Sequence, residues 1–152
     1  MPNPNNLRAG VQSQTPETPA YALVKFFSYQ AEFDAIAFGS AGLLVNVAIN
    51  SQADFLIQQL TLTVIDTVTF LPVAAPAAVI QLSDTASSAA FMSGPTHPGN
   101  LFGTAAQPFI LPRPYLLSGG GVLQVSLADK RGAGNPLTWY FSFIGKNYFK
   151  TS

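Results

Sequence analysis

Residues Gln107–Tyr148 read QPFILPRPYLLSGGGVLQVSLADKRGAGNPLTWYFSFIGKNY, and the fold class follows from them. Val122, Gln124 and Ser126 alternate with Leu123, Val125 and Leu127. Leu137, Trp139, Phe141 and Phe143 alternate with Thr138, Tyr140, Ser142 and Ile144. Successive side chains on a strand point to opposite faces, so each run offers one apolar face and one mixed face. Between them, Ala128–Pro136 is charged, rich in glycine and closed by a proline, which reads as an exposed turn. The two runs are expected to pair antiparallel as the core of an all-β domain.

Working outward, Pro112-Arg113-Pro114 divides Phe109-Ile110-Leu111 from Tyr115-Leu116-Leu117. Two prolines so close remove ladder donors, so this segment reads as an edge strand or an extended crossing. Ser118–Gly121 then turns the chain into Val122. Upstream, Tyr21–Gln30 places Tyr21, Leu23, Lys25, Phe27 and Tyr29 on one face, and Phe33–Phe38 either extends it or forms a second strand. In Leu43–Asn50, Leu43, Val45, Val47 and Ile49 share a face. Phe55–Leu71 is the longest run; its Thr-rich, β-branched second half favours strand over helix. Phe55 and Ile57 have one parity while Leu60, Leu62 and Val64 have the other, so a β-bulge is expected near Gln58-Gln59. Val79–Leu82 reads as a short strand, Asp84–Ser88 as a turn, Phe91-Met92 as the anchor of another short strand, and Gly94–Asn100 as a long loop. The whole amounts to about eight strands at sandwich or barrel spacing. Met1–Ala20 carries Pro2, Pro4, Pro16 and Pro19 and no periodicity, which predicts a tail or extended arm ahead of a β-sandwich domain over residues 21–152.

Composition points to assembly. Only 9% of the 152 residues are charged, against about 25% in an average soluble domain. A chain so poor in charge either hides surface against other chains or covers itself with neutral polar groups. Net charge is zero and no basic stripe exists, so a nucleic-acid partner is not expected. Lys130-Arg131 reads as a solvated turn. Without cysteine there is neither a disulfide framework nor a thiolate metal site. The opening MPNPNNLRAG shows no basic segment followed by an apolar one, and no apolar run reaches membrane-spanning length, so neither secretion signal nor membrane partner is expected.

The search for chemistry is mostly negative. Gly119-Gly120-Gly121 lacks the lysine and hydroxyl of a phosphate loop, and Gly132-Ala133-Gly134 lacks the third glycine of a dinucleotide fingerprint. His97 is the single histidine, with Ser87, Ser88, Ser93 and Asp84 near it in sequence but no nucleophile motif. A three-imidazole zinc site would need one His97 from each of three copies. Glu32 and Asp34 share a strand face, which suits a polar turn better than a cation site or a glycosidase pair. No catalytic residue, metal or cofactor is expected, and the chain reads as a non-enzyme. Exposed aromatics such as Tyr115, Trp139 or Tyr140 leave open a carbohydrate- or receptor-binding module.

PFILPRPYLLSGGGVLQVSL at Pro108–Leu127, followed by FSFIGKNYF at Phe141–Phe149 and preceded by Leu101-Phe102-Gly103-Thr104, resembles small virion proteins of tailed bacteriophages, the capsid decoration or cement class. The resemblance spans roughly residues 55–150. It implies a β-sandwich, jelly-roll-like, on the capsid exterior, bound to the major capsid protein, assembled in the host cytoplasm and often trimeric. It does not separate a cement protein from a neck, tail or head-fibre protein. Contacts are then expected from the arm (Pro2, Pro4, Leu7, Arg8, Pro16 and Pro19), from the loop holding Pro95 and His97, and from the loop holding Lys130, Arg131 and Asn135.

Overall fold

The computed structural model describes residues 21–74 and 76–151, except for the Ala22 side chain; the expected arm over Met1–Ala20 lies outside the described residues. Eight strands form: β1 (Tyr21–Ile36), β2 (Leu43–Ala48), β3 (Ala53–Asp66), β4 (Ala78–Asp84), β5 (Ala89–Ala90), β6 (Phe109–Leu117), β7 (Val122–Asp129) and β8 (Leu137–Lys150). One 3-10 turn covers Pro98–Asn100. The strands make two four-stranded antiparallel sheets, ordered β1-β8-β3-β6 and β2-β7-β4-β5. They pack face to face as an all-β sandwich.

The alternation in β7 and β8 sets the core. Leu123, Val125 and Leu127 from one sheet meet Leu137, Trp139, Phe141 and Phe143 from the other, all buried. Phe102 closes the side of this layer, its ring edge-on to Phe141 and Phe143. The two runs do not pair with each other, contrary to the sequence expectation. β7 lies between β2 and β4, and β8 between β1 and β3. A link of 130–136 is long enough to cross from one sheet to the other, and two runs that each bury one full face do so better on opposite sheets than side by side.

The bulge stands where parity put it. β3 loses register against β8 between Ile57 and Gln59, leaving Gln58 without a cross-strand partner. Phe55 and Ile57 before it, and Leu60 and Val64 after it, are therefore all buried. β6 is an edge strand, as its prolines required. Tyr115 pairs Ile57 and Ile110 pairs Gln59, so Leu111–Pro114 arch away from the ladder opposite Gln58. β1 runs on to Ile36, with Ala31 and Phe33 buried on the face shared by Tyr29.

Two boundaries differ from the sequence reading. β3 stops at Asp66 rather than Leu71, because the Asp66 carboxylate accepts the amides of Val68 and Thr69 (2.8 and 3.0 Å) and folds the chain over. The short strand after β4 is Ala89–Ala90, not Phe91-Met92. Ser88, at φ 56°, turns the chain back early, and Phe91 and Met92 instead pack on the core.

Candidate functional site

The loops β1–β2, β3–β4 and β7–β8 gather at one end of the sandwich. Their centre is a buried ion pair: Arg131 donates to both oxygens of Asp129, with Nη2 to Oδ2 at 2.7 Å. The same guanidinium donates to the carbonyls of Asn135 and Ile36, tying β7–β8 to β1. The Asp129 side chain is 0% exposed, so Arg131 is a structural brace and not the solvated turn residue its neighbours suggested. Asn135 is also engaged, donating to both Asp66 oxygens (3.3 and 3.1 Å). Lys130 is exposed, and its amide donates to the Ala77 carbonyl.

Asp66 organises the most exposed part of this end. Besides Val68 and Thr69 through its carboxylate, it accepts the Phe70 amide on its carbonyl (2.8 Å) and donates its own amide to Leu71 (3.0 Å). Thr67 donates its amide and hydroxyl to the Pro136 carbonyl. The Thr69 and Val68 amides, with Asn135 and the Thr69 side chain adding to them, hold the Asp66 carboxyl below its usual range despite slight desolvation. This bonded turn presents Val68, Phe70 and Leu71 to solvent at 62, 78 and 63% exposure. Phe70 sits at φ 58°, a left-handed conformation that bulky L-residues rarely take. Beside the tip runs a groove of ≈ 310 Å³ walled by Leu62, Val64, Pro72, Val73, Ala74 and Ala105.

The opposite end carries two structural carboxylates. Asp54 accepts from the Gly119 amide (2.8 Å) and the Tyr21 hydroxyl (3.1 Å) and pairs with Lys150 (3.0 Å). Burial pulls its pKa up, but these three donors outweigh burial and hold it below the usual carboxylate range. Burial, and then Asp54 itself, push the Tyr21 hydroxyl up. Asp84 accepts from Ala86, Ser87 and the Tyr115 hydroxyl.

This arrangement bears on each sequence candidate. Ser87 meets Asp84 directly, without an imidazole between them; His97 is half-buried and accepts the Gly99 amide on Nδ1 (3.0 Å), capping the 3-10 turn. Pro95 is exposed just before it, and the Thr96 backbone pairs with Ile80 of β4. Asp34 accepts the Thr138 hydroxyl, a cross-strand bond beside the end of β1. Among the described residues no three His, Asp or Glu side chains come together. Trp139 is 0% exposed and offers no stacking surface, whereas Tyr115 and Tyr140 are half-buried. Pro2, Pro4, Leu7, Arg8, Pro16 and Pro19 lie outside the described residues. What the sequence missed is the Val68–Leu71 tip, hidden in an apolar run that looked like continued strand. Asp66 followed by Thr67 and, six residues on, Pro72 was the available turn signal.

A second apolar surface lies on the outer face of the first sheet. Phe26, Lys146, Leu56 and Leu116 stand in one cross-strand row, with Val24, Ile144 and Ile110 beside it. Phe26 and Ile110 are strongly exposed. No family model, curated protein or solved structure matches this chain.

Proposed function

We propose that this chain is a structural virion protein that binds the outside of a phage capsid as a homo-oligomer and reinforces it. The observation that carries the reading is exposed apolar side chains in defined places on a charge-poor sandwich: the Val68–Leu71 tip and the Phe26–Leu116 row. A free protein gains nothing from such surfaces, whereas a subunit buries them against its neighbours. The major capsid protein is the partner and the virion surface the location; a trimer is the number the sequence resemblance implies. Strand order supports the finer fold reading. β1 pairs β8, β2 pairs β7, β3 pairs β6 and β4 pairs β5, the nested pairing of a ribbon wound into an eight-stranded jelly roll.

The polar clusters support a non-catalytic role, since each carboxylate described above is spent on holding a turn or a strand end. The burial of Trp139 weakens the alternative of a sugar-binding module. The test is co-sedimentation of the purified chain with expanded phage heads lacking it. Saturable binding with raised heat resistance of the heads is expected. Binding to tails or necks, but not to heads, would reassign it to those parts of the particle.

A further inference from the structure

We propose that the Val68–Leu71 tip is a knob that seats in the Leu62–Ala105 groove of a second copy of this chain. This rests on the assembly reading above and names the surface that carries it out.

Several observations lead there. The tip is built in advance of any partner: Asp66, Thr67, Thr69, Asn135 and Pro136 fix it through at least seven hydrogen bonds. The Phe70 backbone lies in the left-handed region, which persists only where surrounding bonds over-determine it. An aromatic 78% exposed on a backbone held in place matches the anchors that dominate interfaces, because little backbone freedom is left to lose on binding.

The receptor fits the knob in size. About 150 Å³ is enough for a benzene ring, and the groove offers ≈ 310 Å³. Its walls are aliphatic apart from the exposed hydroxyls of Thr63 and Thr104. Knob and groove are also neighbours on one surface, since Pro72 and Val73 wall the groove two and three residues after Phe70. A patch that holds both halves of a contact is self-complementary, so copies can exchange knobs about a twofold axis or pass them round a closed ring.

Charge favours the same occupant. Segments 62–74 and 99–105 contain no Lys or Arg, and their one acid, Asp66, is turned inward onto the tip. A loop that dips into an anionic membrane surface would need basic residues around it; a second uncharged copy does not.

The experiment measures mass by light scattering across micromolar concentrations for the full chain, for Phe70→Asp and for Ala105→Trp, which plugs the groove. Both positions are exposed, and unchanged far-UV circular dichroism checks the fold. The wild type is expected to be oligomeric, and each variant to weaken association by at least about tenfold. An equimolar mixture of the two variants should regain mass over either alone, because the intact knob of one fits the open groove of the other. An oligomeric wild type that Phe70→Asp leaves intact overturns the proposal while the capsid reading stands on other surfaces. A monomeric wild type overturns it too, and head co-sedimentation then judges the capsid reading separately. Phe70-dependent binding to phosphatidylcholine–phosphatidylglycerol vesicles without self-association would overturn it in favour of a lipid surface.

Discussion

Gly145→Ala tests the bulge on which the core depends. Gly145 lies in the middle of β8, paired with Phe27 on one side and Ile57 on the other, where β3 loses its register. A Cβ at this position would sit on the Leu56 carbonyl oxygen, 2.8 Å from the Leu56 carbonyl carbon and 3.2 Å from the Ile57 Cα. All three are backbone atoms of a strand held on both sides, so no side-chain tip can swing away. The strands must part, with an overpacking penalty of about 1–3 kcal/mol, and each ladder bond that breaks adds about 0.5–1.5 kcal/mol. Ala regains about 0.4–1 kcal/mol by restricting the unfolded chain. The net loss is then about 2–3 kcal/mol, or a melting temperature lower by roughly 4–12 °C for a chain of this size. Gly132→Ala is the control, because a Cβ there meets nothing within 4 Å; it should stay within about 0.5 kcal/mol of wild type. Urea unfolding and thermal melts followed by circular dichroism give both numbers. A Gly145→Ala melting point within about 2 °C of wild type would refute the close approach, and with it the bulge at Gln58.

Three further outcomes are expected. Arg131→Ala leaves the buried Asp129 carboxylate with only the Arg131 amide as partner and should remove about 3–5 kcal/mol of stability in urea at neutral pH; Arg131→Met with Asp129→Leu should restore part of it. Asp54 has a folded pKa below its unfolded value of about 3.9, so its contribution is complete above that value and is lost as pH falls through the folded pKa. The urea midpoint of wild type should therefore drop more steeply than that of Asp54→Asn as pH is lowered below about 4, and parallel curves would count against the Asp54 cluster. Trp139, being 0% exposed, should emit in the blue, resist acrylamide quenching until unfolding, and not respond to added glycans; a glycan-induced shift would reopen the sugar-binding alternative.

The features legible in the sequence were those set by local parity and by proline. The change of phase between Ile57 and Leu60 located the bulge, and Pro112 and Pro114 placed β6 at an edge. Each needs only the fact that a strand has two faces and that proline lacks a donor. Partner choice was not legible. β7 and β8 both looked like half-buried strands, and nothing local says that the residues 130–136 between them cross the sandwich instead of closing a hairpin. The strand end at Asp66 was missed because Val68, Phe70 and Leu71 continue the apolar, β-branched composition of β3, while the turn is made by a carboxylate folding onto its own backbone. Arg131 looked free because its partner stands two residues away and is buried by residues distant in sequence. His97, Arg131 and Asn135, expected at contacts between chains, each also hold a hydrogen bond within the subunit that local sequence does not reveal.

The nested pairing also sets a timetable for folding. β1 is made early, yet its ladder partner among the described residues is β8, more than about a hundred residues downstream, and β3 waits for the same strand. While the ribosome is still reading residues before Leu137, β1 stands apart from the β3–β6 pair, and Phe33 has no Phe141 to cover it. Contacts so distant along the chain close slowly, and half-finished sheets invite pairing with strangers. A nascent chain of this kind depends on its last strand to become insensitive to its neighbours, so a stall in translation just upstream of β8 would be more damaging than one anywhere earlier.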